Sequence, residues 1–95
     1  MESHNEANIK VLRCKASTDV NKLAGSIHSI YQESSETQMA IRVIGAGALN
    51  QAVKASIICN KFFAKKGLAV ALQPAFYDAT ESMTAIELRI ILRRL

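Results

Sequence analysis

The chain has 95 residues, 49% of them hydrophobic, which fits one small domain with a single packed core and argues against disorder. Its formal charge of +4 favours an acidic partner only mildly, so the question is whether the charges share a face. The aromatic residues are few (Tyr31, Phe62, Phe63, Phe76 and Tyr77, with no Trp), which disfavours a single-strand binder built on stacking platforms.

The opening "MESHNEAN" is polar and acidic, unlike a secretory signal, and no apolar run is long enough to span a bilayer. A cytoplasmic protein with no membrane association is expected, with a flexible N-terminal tail over residues 1–8 and a single domain over 9–95. "IKVLRCK", from Ile9 to Lys15, alternates and is β-branched, so it predicts a first strand. Ser17, Thr18 and Asp19 then offer caps, and Val20, Leu23, Ala24, Ile27, Ile30 and Tyr31 recur at helical spacing. "TQMAIRVI" predicts a second strand, with Met39, Ile41 and Val43 on one side and Arg42 on the other.

After a turn at Gly45 and Gly47, a second helix is expected from about Ala48 to Lys66, stopping at Gly67. Its core face is expected to carry Leu49, Ala52, Val53, Ser56, Cys59 and Phe63. "LAVALQPAF" predicts a third strand, with Pro74 pointing to an edge or a bulge. A turn around Asp78 to Ser82 leads into a fourth strand, "TAIELRIILRR".

The resulting order, βαβαββ, predicts an α/β fold of the α+β two-layer kind. Two helices cover one face of a four-stranded mixed sheet, and the last two strands form a hairpin. The uncovered face would show Arg13, Lys15, Arg42 and Arg89, with Ile91 among them. A homodimer or higher homo-oligomer that covers part of this face, or an edge strand, is expected.

"IRVIGAGALNQAVKAS" is the stretch with the most chemical content. Gly45 and Gly47 open a dinucleotide-like pattern, but Asn50 stands where the third glycine belongs and the downstream acid is replaced by Lys65 and Lys66. No G-K-[ST] follows, so a Walker loop fails as well. What remains is a strand–glycine–helix junction, which either meets a phosphate with backbone N–H groups or merely lets the chain turn and the helix pack closely. Taken alone, the glycines favour the second use.

At about 100 degrees per residue, Asn50, Lys54, Lys61 and Lys65 fall in one narrow stripe. Such a stripe is a track for a nucleic-acid backbone or simply a solvated helix face, and Ile58 within it could equally mark a subunit contact. Catalysis finds little support: His4 lies in the tail, His28 on the expected polar side of the first helix, and nothing in the sequence pairs either with a nucleophile or a carboxylate dyad. Cys14 and Cys59 read as buried reduced thiols. No Cys/His spacing suggests a metal, and no cofactor is implied.

"VLRCKAS", "NKLAGSI", "IGAGALNQAVKA", "QPAF" and "TAIEL" stand in the order and spacing of the stage V sporulation protein S family, which the chain resembles from roughly Ile9 to Ile91. "GAGALNQAVKA" is the most specific block. More distantly, the βαβαββ order looks like the Alba superfamily of small dimeric DNA- and RNA-binding proteins. The resemblance implies a cytoplasmic regulatory or nucleic-acid-associated protein, of the kind linked to sporulation and cell development.

Alba proteins tend to carry lysines after the first strand and arginines at the second strand–helix junction. Here Lys15 is followed by Ala16 and Ser17, and Gly45, Ala46 and Gly47 follow Arg42. Their long basic hairpin is replaced by the short, acidic "YDATESM".

The leading expectation is therefore a non-enzymatic DNA- or RNA-binding protein that grips phosphates with low sequence specificity. Lys15, Arg42, Gly45, Gly47, Asn50, Lys54, Lys61 and Lys65 would do the binding. The alternative is a protein-interaction or small-anion-binding regulatory module with no nucleic-acid role.

Overall fold

The computed structural model describes residues 3–80 and 83–95; Met1 and Glu2 of the expected tail, and Glu81 and Ser82 of the expected turn, lie outside them. Strand β1 (Ser3–Glu6) pairs antiparallel with β2 (Ile9–Cys14), placing Glu6 opposite Ile9 and Ser3 opposite Leu12. Ala7 and Asn8 connect them with φ of 45° and 70°, the left-handed backbone that a two-residue hairpin turn demands. This corrects the expected loose tail over these residues and raises the strand count from four to five. "SHNE" carries no apolar alternation. It is held as a strand by polar contacts to the sheet.

Helix α1 (Val20–Glu33) starts at Asp19, whose carboxylate accepts from the backbone N–H of Asn21 and Lys22 at 2.9 and 3.2 Å. It buries Leu23, Ala24 and Ile27, with Val20, Ile30 and Tyr31 packed beside them, as the spacing predicts. Strand β3 (Gln38–Val43) runs parallel to β2, and α2 (Ala46–Ala64) returns the chain to β4 (Leu68–Thr80). Strand β5 (Met83–Arg94) pairs antiparallel with both β3 and β4, giving a mixed five-stranded sheet of order β1-β2-β3-β5-β4. Pro74 sits in β4, an edge strand, where its missing N–H costs no internal ladder bond. The expected turn at Asp78 is strand instead: pairing continues to Thr80 opposite Met83, with a register shift between Asp78 and Thr80.

Both helices lie on one face of the sheet, and one core joins Leu12, Ile41 and Leu88 to Leu23 and Ile27 of α1 and Phe63 of α2. The buried face of α2 differs from the expected one. Ala48, Ala52, Ala55, Ser56, Cys59 and Phe63 are buried, whereas Val53 is 40% exposed and Leu49 only half-buried. Small side chains let the helix approach the sheet closely, and the contact follows the alanines rather than the larger apolar groups. The Ser56 hydroxyl donates to the Val53 carbonyl at 2.6 Å, so the one buried polar side chain of this face is satisfied within its own helix.

His28, expected on the polar side of α1, instead stacks on Phe62 with centroids 4.9 Å apart, while Tyr31 meets Phe63 edge-on at 5.0 Å. Three of the five aromatic residues are thereby spent on joining the two helices.

Candidate nucleic-acid interface

The glycine junction is a close-packed turn. Gly45 precedes α2 with φ of 93°, a conformation that strains any side-chain-bearing residue. Gly47, in the first turn of the helix, lies so near the segment after β2 that a Cβ there would meet the Ala16 Cβ at 2.9 Å. That segment is itself folded: the Lys15 N–H donates to Thr18 Oγ1 at 2.8 Å, and the Thr18 N–H to the Lys15 carbonyl at 3.0 Å. Gln51 closes the arrangement by donating from Nε2 to the Thr18 carbonyl at 2.9 Å. Both glycines are thus accounted for by chain geometry. No side chain caps the helix, whose first backbone bond runs from the Leu49 N–H to the Gly45 carbonyl.

Asn50, Lys54 and Lys61 are exposed along the outer side of α2, and Lys65 is exposed just past its C-terminal end. Among the described residues, none of these lysines forms a salt bridge. Ile58, which shares the stripe in projection, turns toward the core and is half-buried against it. Beside the lysines runs an apolar seam of Val53 and Ile57, the latter 57% exposed. The sequence-predicted lysines are therefore brought together on one surface. Lys15 and Arg42 stand apart, near the ends of β2 and β3.

Arg42 is differently placed from the rest. It points to the sheet face that the helices leave open, where its Nη1 and Nη2 donate to the two Glu6 oxygens at 2.7 and 2.8 Å. Its Nε donates to Glu87 at 3.0 Å, from the position directly opposite on β5, and its guanidinium lies 3.7 Å from the centroid of the Tyr77 ring. His4 adds a 2.6 Å hydrogen bond to Glu6, and Arg89 lies 3.5 Å from Glu87. The open face is thus a cross-linked network rather than the all-basic surface its arginines suggest. Hydrogen bonds from Arg42 and then His4 hold the Glu6 carboxyl down at about 2, and the bond to Glu6 raises Arg42 further above its ordinary range. Glu6 gives no signal as a site residue, because Arg42, which grips both its oxygens, lies 36 residues away.

Both cysteines are buried and reduced. Burial pushes the Cys59 thiol up to about 11 and raises Cys14 as well. Cys14 points at the Ala48 carbonyl and Cys59 at the Ala24 carbonyl, at 3.5 and 3.7 Å, so they work as small core groups. Among the described residues no three metal-ligating side chains converge, and no helix is long and apolar enough to cross a membrane.

The family model described as stage V sporulation protein S (SpoVS) matches residues 10–93, nearly the whole chain. The chain belongs to this family, and the membership supports a sporulation regulatory protein.

Proposed function

We infer that this SpoVS-family chain is a non-enzymatic regulatory protein of the cytoplasm that binds the phosphate backbone of DNA or RNA with low sequence specificity. The observation that carries the reading is the exposed row of Lys54, Lys61 and Lys65, which meets no carboxylate among the described residues. At about 1.5 Å per residue the row spans roughly 17 Å, about half a turn of B-form duplex, so the lysines can follow one stretch of backbone. Asn50 and the Gly45–Gly47 turn stand at the N-terminal end of the row, where amide groups add uncharged donors. Lys15 extends the basic surface toward the strand ends. Arg42, already engaged by two carboxylates, orders that surface rather than leading the contact. The distant likeness to Alba proteins belongs to the same reading.

The experiment is titration of the chain into short DNA and RNA duplexes and single strands at two salt concentrations. Binding that weakens with salt, and weakens again in a Lys54→Ala, Lys61→Ala double variant, is expected. No binding at low salt, or binding indifferent to both lysines, would sink the reading.

The exposed Val53 and Ile57 favour a second use of the same helix, as a contact between protomers or with another protein. A homodimer joined elsewhere would unite two lysine rows, whereas one joined through this seam would cover them. Sedimentation with and without nucleic acid separates the two cases.

A further inference from the structure

Where β2 and β3 end side by side, the structure encloses a pocket of about 180 Å3. Ile44, Tyr77 and Ala85 supply apolar wall, Arg13, Lys15 and Arg42 supply charge, and among the described residues no acidic side chain lines it. Arg13 and Lys15 are exposed and, among the described residues, without a salt bridge. Arg42 is fixed by Glu6, Glu87 and the Tyr77 ring, so its position is set before any ligand arrives. Three of its five N–H groups are used, which leaves two donors for a further acceptor. Ile44 stands 47% exposed at the end of β3, an apolar lip beside the cations.

The cations Arg13 and Lys15, without a salt bridge among the described residues, select an anion, and the apolar walls select one that carries a flat or hydrophobic body rather than a bare hydrated ion. The volume of about 180 Å3 lies below the roughly 300 to 1,000 Å3 of sites that contain a drug-sized ligand, so the walls take only one end of the occupant and the rest lies along the exposed Arg13 and Lys15. We propose that this pocket binds a single nucleotide, with its phosphate monoester on Arg13 and Lys15 and its ring system against Ile44 and Tyr77. Two sources offer that chemistry: a free mononucleotide and the 5′-phosphorylated end of a strand. The site is separate from the α2 lysine row and stands whether or not that row follows a backbone.

The test is an amide NMR titration of the full chain. Its ligands are ribonucleoside 5′-monophosphates, the matching nucleosides, inorganic phosphate, and dinucleotides with and without a 5′-phosphate. Saturable shifts at Val43, Ile44 and Ala85 are expected for the monophosphates, with affinity about tenfold or more above nucleoside or phosphate alone. Arg13→Ala with Lys15→Ala should weaken binding by about tenfold or more, since two charge-assisted contacts are lost. Lys54→Ala with Lys61→Ala should leave it unchanged, and this keeps the outcome distinct from that of the duplex titration. A 5′-phosphorylated dinucleotide that binds as well as the mononucleotide assigns the site to strand ends, and one that is excluded assigns it to free nucleotides. Absence of saturable shifts, shifts confined to α2, or equal binding of inorganic phosphate and nucleotide would overturn the proposal.

Discussion

Arg42 of β3 holds Glu6 of β1 by both carboxylate oxygens, at 2.7 and 2.8 Å, across the intervening strand β2. A four-residue edge strand with no apolar side chain is anchored to the middle of the sheet by this fork. The anchor depends on Glu6 being ionised, which makes it sensitive to acid.

The Glu6 carboxyl is held at about 2 against an ordinary 4.5, so its contribution to stability is complete above pH 4.5 and is lost as pH falls toward 2. Glu6→Gln is therefore expected to be less stable than the parent at neutral pH and to close the gap as pH drops through this window. Thermal melts at pH 2 to 7 check it, with amide exchange at Ser3–Glu6 as the local readout. Parallel melting curves for the two proteins across the window would remove Glu6 from the account.

Two helical glycines should respond oppositely to the same substitution. A Cβ on Gly25 meets nothing within 4 Å, so Gly25→Ala should stabilise by roughly 0.5–1 kcal/mol through helix propensity and reduced unfolded-state entropy. On Gly47 it would meet the Ala16 Cβ at 2.9 Å, so Gly47→Ala should destabilise by about 1–3 kcal/mol as an overpacked contact. Urea unfolding of both variants measures the difference.

For the α2 row, the salt dependence is the sharper readout. Each phosphate contact contributes about −0.9 to the slope of log K against log salt on B-form DNA, so Lys54→Ala with Lys61→Ala should flatten the slope by about 1.8. Both side chains are exposed, and the folding stability should move by no more than about 0.5 kcal/mol.

The thiols should be silent in the folded chain. Cys59, pushed up to about 11 by burial, and Cys14, also raised by burial, present little thiolate at neutral pH. A thiol-reactive chromophore should label neither on the timescale of free cysteine and both after denaturation. Rapid native labelling of either would contradict the packing described for it.

Phe63 is the largest fully buried side chain of the core and carries the edge contact from Tyr31. Phe63→Ala should cost about 3–5 kcal/mol, a large share of the roughly 5–15 kcal/mol typical of a small domain. Denaturant midpoints report it directly.

Where the side-chain period was clean, the elements could be read from the residues. The spacing of Leu23, Ala24 and Ile27 specified α1, and the alternation of Met39, Ile41 and Val43 specified β3, because burial on one face imposes those periods locally. The lysine row of α2 was legible for the same reason. The misplaced core face of α2 was not, because alanine is uninformative in a hydrophobicity pattern and only the sheet's surface showed that Ala48 and Ala55 pack inward while Val53 does not.

By itself, then, the sequence determined the two helices, the central strands, the basic side of α2 and the family block around "GAGALNQAVKA". Tertiary structure alone decided that "SHNE" is a strand, that Gly47 is set by Ala16, and that Arg42 is engaged by Glu6 and Glu87. It also assembled the pocket shared by Arg13, Lys15 and Tyr77. Apart from the local pairing of β1 with β2, each of these is a contact between residues far apart in the chain. Local periodicity records which way a side chain faces, but the partner it finds there is fixed only when the sheet brings the strands into register.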